Sequence, residues 1–407
     1  VVNQHNTCPL CHGRIKKNGT TSAGTQRWRC TNPTCGYNFT NTSDTAIQAK
    51  RFRIFLRWIL TSTPLHTVAN DHHRSRRQLQ RWFTTFWYVT VPTNLDPHRI
   101  YEQVFIDGTY FGNNCLLIAS SKDHVLTWHW CKHENTYNYN RLLDKIPHPP
   151  QVVTTDGHAG ALKAIRDTWP TAQIQRCLVH VKRNIQQDVG LNPTLNSGKV
   201  LRWLSLQLLK VDTRAKAAVW TAKLHEFERT YSTWLNEKTY VKDIQRTDIP
   251  TQFRSNKTYF YTHYRHRRAW KLLVKLHKKQ HLFTFLTAVD DHGDTDTARR
   301  NNLASTTNSL EGGINAQVKN LARYHRGMSP EHQRTAIDWW CYLHTQFPDS
   351  PVEIARQQKW GRSALTKVTA ASTNDTSFDH DGAPAQYDTG IESTHTNDIG
   401  IRKGTMR

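Results

Sequence analysis

The chain has 407 residues, too many for one small domain and enough for a sizeable core with accessory modules, so two to four domains are expected. Lys and Arg number 55 against 32 Asp and Glu, a formal charge of +23 that points to a polyanionic partner, nucleic acid first, rather than a merely solvated basic surface. No run of about eighteen apolar residues exists, which excludes a transmembrane helix, and the polar opening VVNQHNTCPL lacks the apolar centre of a signal peptide, so a soluble, cytoplasmic protein is expected.

Four of the eight Cys fall within the first thirty-five residues, and the others stand apart at Cys115, Cys131, Cys177 and Cys341. Cys8-Pro-Leu-Cys11 and the later pair Cys30 and Cys35 can set four thiolates on two tight turns around one structural Zn²⁺, which predicts a zinc ribbon over residues 1–44. The second pair is more widely spaced than usual, so His12 or His5 is an alternative fourth ligand. Disulfide pairing is disfavoured in a reducing compartment.

Residues 45–95 predict three short helices. Phe52, Phe55, Leu56 and Ile59 recur at helical spacing, Thr63-Pro64 opens a second helix, and Ser75 caps a third. The third carries Arg74, Arg76, Arg77 and Arg81 on its polar faces, the pattern of a helix-turn-helix that docks on DNA, against an ordinary basic bundle as the alternative.

From Tyr101 the period changes to that of strands. Segments 101–107, 115–120 and 125–131 read as an antiparallel meander. Then come a helix near 137–143, a strand 151–156, a helix 159–169, a strand 172–176 and a helix 180–187. This order predicts a ribonuclease H-like mixed α/β sheet, with its first part at 98–192. Residues 193–300 read as an all-α insertion, and 301–345 return to the core with a helix opening at Glu311. The polar segment 346–407 is expected to be a largely disordered tail.

Asp107 and Asp156 each fall at or near a strand end, and Glu311 at a helix start. Acids mounted so can converge on a pair of hard cations, the arrangement that phosphodiester cleavage and transesterification require. Taken singly, Asp107-Gly108 and Asp156-Gly157 also suit turns, and Glu311 suits a helix dipole. Gly312-Gly313 inside a helix costs about 1 kcal/mol per residue relative to Ala, a local sacrifice that favours the functional reading.

The strings Phe105-Ile-Asp107-Gly-Thr109, Thr154-Thr-Asp156-Gly157, Cys177-Leu-Val-His180 and Thr307-Asn-Ser-Leu-Glu311-Gly-Gly-Ile-Asn315, in this order, resemble the mutator-like DDE transposases of bacterial insertion sequences. The resemblance covers roughly residues 1–345 and departs from the family in the wide second Cys pair and the doubled glycine. It implies an enzyme that binds terminal inverted repeats, hydrolyses the ends and joins the 3′-OH to target DNA, using two Mg²⁺ or Mn²⁺ held by Asp107, Asp156 and Glu311. It implies that Cys177 and His180 shape the site or contact DNA, with a buried structural histidine as the alternative for His180. Asn315, Lys319 and Arg323, followed by His325 and Arg326, would face phosphate. A homodimer or larger synaptic complex on double-stranded DNA, associated with the nucleoid, follows from the same resemblance. Its competitors are a non-catalytic DNA-binding regulator and a nuclease that does not join strands.

Overall fold

A computed structural model describes residues 7–8, 13–40, 44–93, 98–254, 257–286 and 303–374. They divide between two units, one drawn from Val1–Pro92, Tyr324–Trp339 and Pro348–Arg407, the other from Thr93–Arg323 and Trp340–Phe347.

In the first unit, β1 (Ile15–Thr20), β2 (Gln26–Cys30) and β3 (Asn38–Thr40) form a three-stranded antiparallel sheet. Helices α1 (Asp44–Ile59), α2 (Leu65–Asp71) and α3 (Arg76–Phe83) follow. The Ser75 hydroxyl accepts the Gln78 N–H, satisfying one of the otherwise orphaned donors of the α3 N-terminus. Phe52, Phe55, Ile59, Val68, Leu79 and Phe83 are buried, and the Phe55 ring lies 5.3 Å from Phe83. Aromatic rings thus supply the core where aliphatic side chains are few.

The second unit contains a five-stranded sheet. Strands β4 (Gln103–Phe111), β5 (Asn114–Ser120) and β6 (Val125–Cys131) form the antiparallel meander. After α4 (Thr136–Leu143), β7 (Val152–Thr155) pairs parallel with β4. After α5 (Ala159–Thr168), β8 (Gln173–Arg176) pairs parallel with β7, giving the order β6-β5-β4-β7-β8. Val104, Ile106, Leu117, Ala119 and Val153 on one face pack with Tyr139, Leu142, Ala161 and Ile165 from α4 and α5, as helices must where parallel strands are covered.

Helices α6 (Leu178–Val189), α7 (Asn196–Leu208) and α8 (Arg214–Leu235) build a second core around Ile185, Leu204, Trp220 and Phe227. The insertion is not purely helical. Strands β9 (Lys238–Tyr240) and β10 (Tyr259–Tyr261) form a two-stranded ribbon before α9 (Tyr264–Lys278), too short to leave a two-residue period in the sequence. A π-helix spans Ser309–Asn315 and runs into α10 (Ala316–Tyr324), followed by α11 (Pro330–Leu343).

Where composition predicts a disordered tail, α12 (Pro351–Gln357) and α13 (Arg362–Asn374) are helical. Between them the buried Trp360 ring lies 6.1 Å from Phe52 and 6.4 Å from Phe86. Gln358 exchanges two hydrogen bonds with the Thr90 backbone, both 2.8 Å. These few anchors outweigh a polar composition. Residues beyond 374 lie outside the described ones. No described helix is long and apolar enough to cross a membrane.

Trp360→Ala removes this aromatic anchor and is expected to lower stability by about 3–5 kcal/mol. Denaturant unfolding of the full chain measures it, and a loss under about 1 kcal/mol would contradict the packing just described.

Candidate active site

The last registered pair between the parallel strands β4 and β7 is Ile106 with Thr155. One residue beyond this pair on each chain stand Asp107, still within β4, and Asp156, the first residue after β7. Asp107 is inside its strand rather than at its end. Pairing with β5 continues through Phe111 with Asn114, and the reversal falls at Gly112, whose φ is +57°.

Asp156 opens the loop after β7. Its Oδ1 accepts the His158 N–H at 2.9 Å, while Arg176 Nη2 donates to its carbonyl. Gly157 takes φ +90°, and a Cβ there would fall 1.7 Å from the Arg176 Cζ. Only glycine leaves room for the guanidinium under this turn. Arg176 is 6% exposed, and burial lowers its pKa from the ordinary value, opposed by the charges of Asp156 and Cys177.

A third segment reaches the same face. Asn315, at the end of the π-helix, donates from Nδ2 to Asp107 Oδ2 at 2.7 Å. It is 3% exposed, and its Oδ1 has no hydrogen-bond partner among the described residues. Glu311 belongs to that π-helix, but its side chain lies outside the described ones. Gln103 ties the segment to β4 by donating to the Ala304 carbonyl and accepting its N–H, both at 2.7 Å. Thr307 donates its O–H (3.1 Å) and N–H (3.3 Å) to Cys177 Sγ. Burial alone would raise the Cys177 pKa, but hydrogen bonds from His180 and Thr307 bring it below the usual thiol value. Cys177 and His180 thus belong to the joint between the sheet and the segment before Glu311.

Sequence reasoning missed Glu134. Its Oε2 accepts the Tyr139 O–H at 2.6 Å, and Cys115 Sγ lies 3.9 Å from Oε1. Burial, then the charge of Glu134 and its hydrogen bond, then the charges of Asp156 and Asp107 raise the Tyr139 pKa well above the ordinary phenol value. The signal available in the sequence was Gly108, a glycine in mid-strand, which often marks close approach of another group.

In the first unit the sulfurs of Cys8, Cys30 and Cys35 lie within 4.8 Å of one another, with Cys8 and Cys35 at 3.8 Å. Zn–S bonds of about 2.3 Å place tetrahedral sulfurs about 3.8 Å apart, so this donor set fits zinc. Cys11, His5 and His12 lie outside the described residues. Arg74, Arg76, Arg77 and Arg81 are exposed on and beside α3, and Lys319, Arg323 and Arg326 are exposed on and after α10. His325 differs from expectation. It is 7% exposed with its ring 6.0 Å from Trp58, which makes it a packing residue, and burial lowers its pKa.

Comparison with known proteins adds an independent likeness. Residues 125–256 match the sequence profile of the family described as Transposase, Mutator family. That stretch includes Asp156, Cys177 and His180 but not Asp107 or Glu311. The transposase for insertion sequence element IS905 of Lactococcus lactis is 31% identical over 105 residues, covering 22% of this chain and 27% of the relative. The transposase for insertion sequence element ISRM5 of Rhizobium meliloti is 24% identical over 139 residues, covering 34% of this chain and 32% of the relative. The chain spans about a quarter to a third of the length of these curated relatives.

Two outcomes are expected. Gly157→Ala forces a left-handed φ on a side chain that also meets Arg176, and should cost at least about 1–3 kcal/mol in urea unfolding; wild-type stability would contradict the turn geometry. Cys8→Ser and Cys35→Ser should each drop bound zinc from about one ion per chain to near none in elemental analysis of the purified protein.

Proposed function

We propose that the chain is a DDE-type transposase of a bacterial insertion sequence, with a catalytic triad of Asp107, Asp156 and Glu311. The observation that carries this reading is Asp107 within β4 and Asp156 just after the parallel neighbour β7, with Asn315 of the Glu311 helix hydrogen-bonded to Asp107. Glu311 precedes Asn315 by about one helical turn, a spacing that in this reading puts both on one helix face. The buried Asn315 Oδ1, without a partner among the described residues, and the oxygen-rich donor set suit hard divalent cations.

In this reading residues 98–192 and 301–345 are a ribonuclease H-like core, and 193–300 its insertion. Residues 1–44 are a zinc ribbon, and 45–95 a helix-turn-helix that presents Arg74, Arg76, Arg77 and Arg81 to the DNA backbone. The three acids hold two Mg²⁺ or Mn²⁺ ions, which when bound stabilise charge on the attacking and leaving oxygens of a phosphodiester. Asn315 fixes the orientation of the Asp107 carboxylate. Arg176 and the His158 N–H hold the Asp156 turn, and Cys177 with Thr307 and His180 anchors the segment that brings Glu311 in. Lys319 and Arg323 offer positive charge to phosphate. The substrate is double-stranded DNA, transposon ends and target, handled by a homodimer or larger synaptic complex in the bacterial cytoplasm, at the nucleoid. A net charge of +23 and the likeness to transposases support DNA as the partner.

The test is cleavage of DNA carrying the element's ends, with Mg²⁺, followed by transfer of the freed 3′ end into a plasmid. Asp107→Asn, Asp156→Asn and Glu311→Gln should each reduce both steps by about 10²–10³-fold or more. Full activity in any of the three would remove that residue from the site, and cleavage without joining would leave a nuclease.

A further inference from the structure

Glu134 approaches the strand of Asp107 from the opposite face of the sheet. Alternation along β4 places Gly108 on the side of Val104 and Ile106, where α4 packs. A Cβ on Gly108 would lie 2.6 Å from Cδ and Oε1 of Glu134 and 2.9 Å from Oε2. The carboxylate is therefore seated against the backbone one residue beyond Asp107, in space that any side chain would fill. It is held there. Oε2 accepts the O–H of Tyr139, which is 1% exposed, so swinging Glu134 outward would strand a buried hydroxyl. On the Asp107 side, the buried Asn315 keeps Nδ2 on Asp107 and leaves Oδ1 without a partner among the described residues, an oxygen available to a cation.

Carboxylates held on the two faces of one strand each make the other's charge costlier, a cost that a cation on one face offsets. A carboxylate fixed beside the site rather than free to turn to water makes that cost permanent. We propose that Glu134, anchored by Tyr139 and admitted by Gly108, is a positioning residue for the divalent-ion site of Asp107 and Asp156. It braces β4 where Asp107 is mounted, and its charge raises the affinity of the site for hard cations. The inference rests on the functional reading above, which assigns those two acids to metal.

Mn²⁺ titration of the zinc-loaded full chain, followed by electron paramagnetic resonance without DNA, tests it. Glu134→Gln keeps the shape and the Tyr139 hydrogen bond but removes the charge. It is expected to weaken Mn²⁺ binding about 10–100-fold, the scale of outer-shell substitutions, with an unchanged thermal midpoint, and Glu134→Asp should recover part of the affinity. Wild-type affinity in Glu134→Gln, with binding lost in Asp156→Asn, overturns the inference and leaves the functional reading standing. Wild-type affinity in Asp156→Asn overturns that reading itself. Should Glu134→Gln fail to fold, Tyr139→Phe decides: a severalfold loss of affinity supports the role, and unchanged affinity overturns it.

Discussion

The parallel register between β4 and β7 is the constraint on which the candidate site depends. Ile106 opposite Thr155 makes Asp107 and Asp156 the next residue on each chain beyond the ladder. A slip of one position would turn every β4 side chain to the other face, burying Asp107 among apolar helices and exposing Ile106. Two features oppose that slip. Val104 and Ile106 are fully buried against α4 and α5. On the reverse face, Gln103 donates to the Thr154 hydroxyl at 2.7 Å and pairs twice with Ala304, and moving it would leave several buried polar groups unpaired.

Contacts of this kind also tie segments far apart in the chain. Gln103 with Ala304, Leu178 N–H with the Ser305 carbonyl, and Thr307 with Cys177 fasten the chain beyond the insertion to the sheet before the π-helix begins. Residues after 193 share a second core with α6, in which Trp220 is buried and its Nε1 donates to the Leu204 carbonyl. The π-helical turn then brings Asn315 to Asp107. Such turns are rare and frequent at functional sites, and Gly312-Gly313 lowers the resistance to forming one, which accounts for two residues that are poor choices in an α-helix.

Much of the sheet was legible because its strands are long or strongly apolar. The strand Val152–Thr155 stops one residue short of Asp156, close to where its pattern implies, and Ser75 caps α3 as its chemistry implies. Asp107 was misplaced relative to its strand end because Asp-Gly is also a turn signal, whereas here Gly108 exists to admit Glu134. That contact lies between residues distant in sequence, and the mid-strand glycine marks a close approach without naming its partner. The β9–β10 ribbon is too short to show a period. The helices after Pro348 escaped notice because a few residues, Trp360 above all, anchor a segment whose average composition is polar. The proximity of Asn315 to Asp107 is likewise a tertiary fact, although the spacing from Glu311 hinted at a common face.

The central claim is that carboxyl groups from β4, from the end of β7 and from the π-helix share divalent ions. Anomalous diffraction from crystals of the full chain grown with Mn²⁺ tests it most directly. The account predicts Mn²⁺ peaks within about 2.0–2.6 Å of carboxylate oxygens of Asp107, Asp156 and Glu311. Mn²⁺ bound elsewhere, with any of these three side chains turned away from the other two, would contradict it.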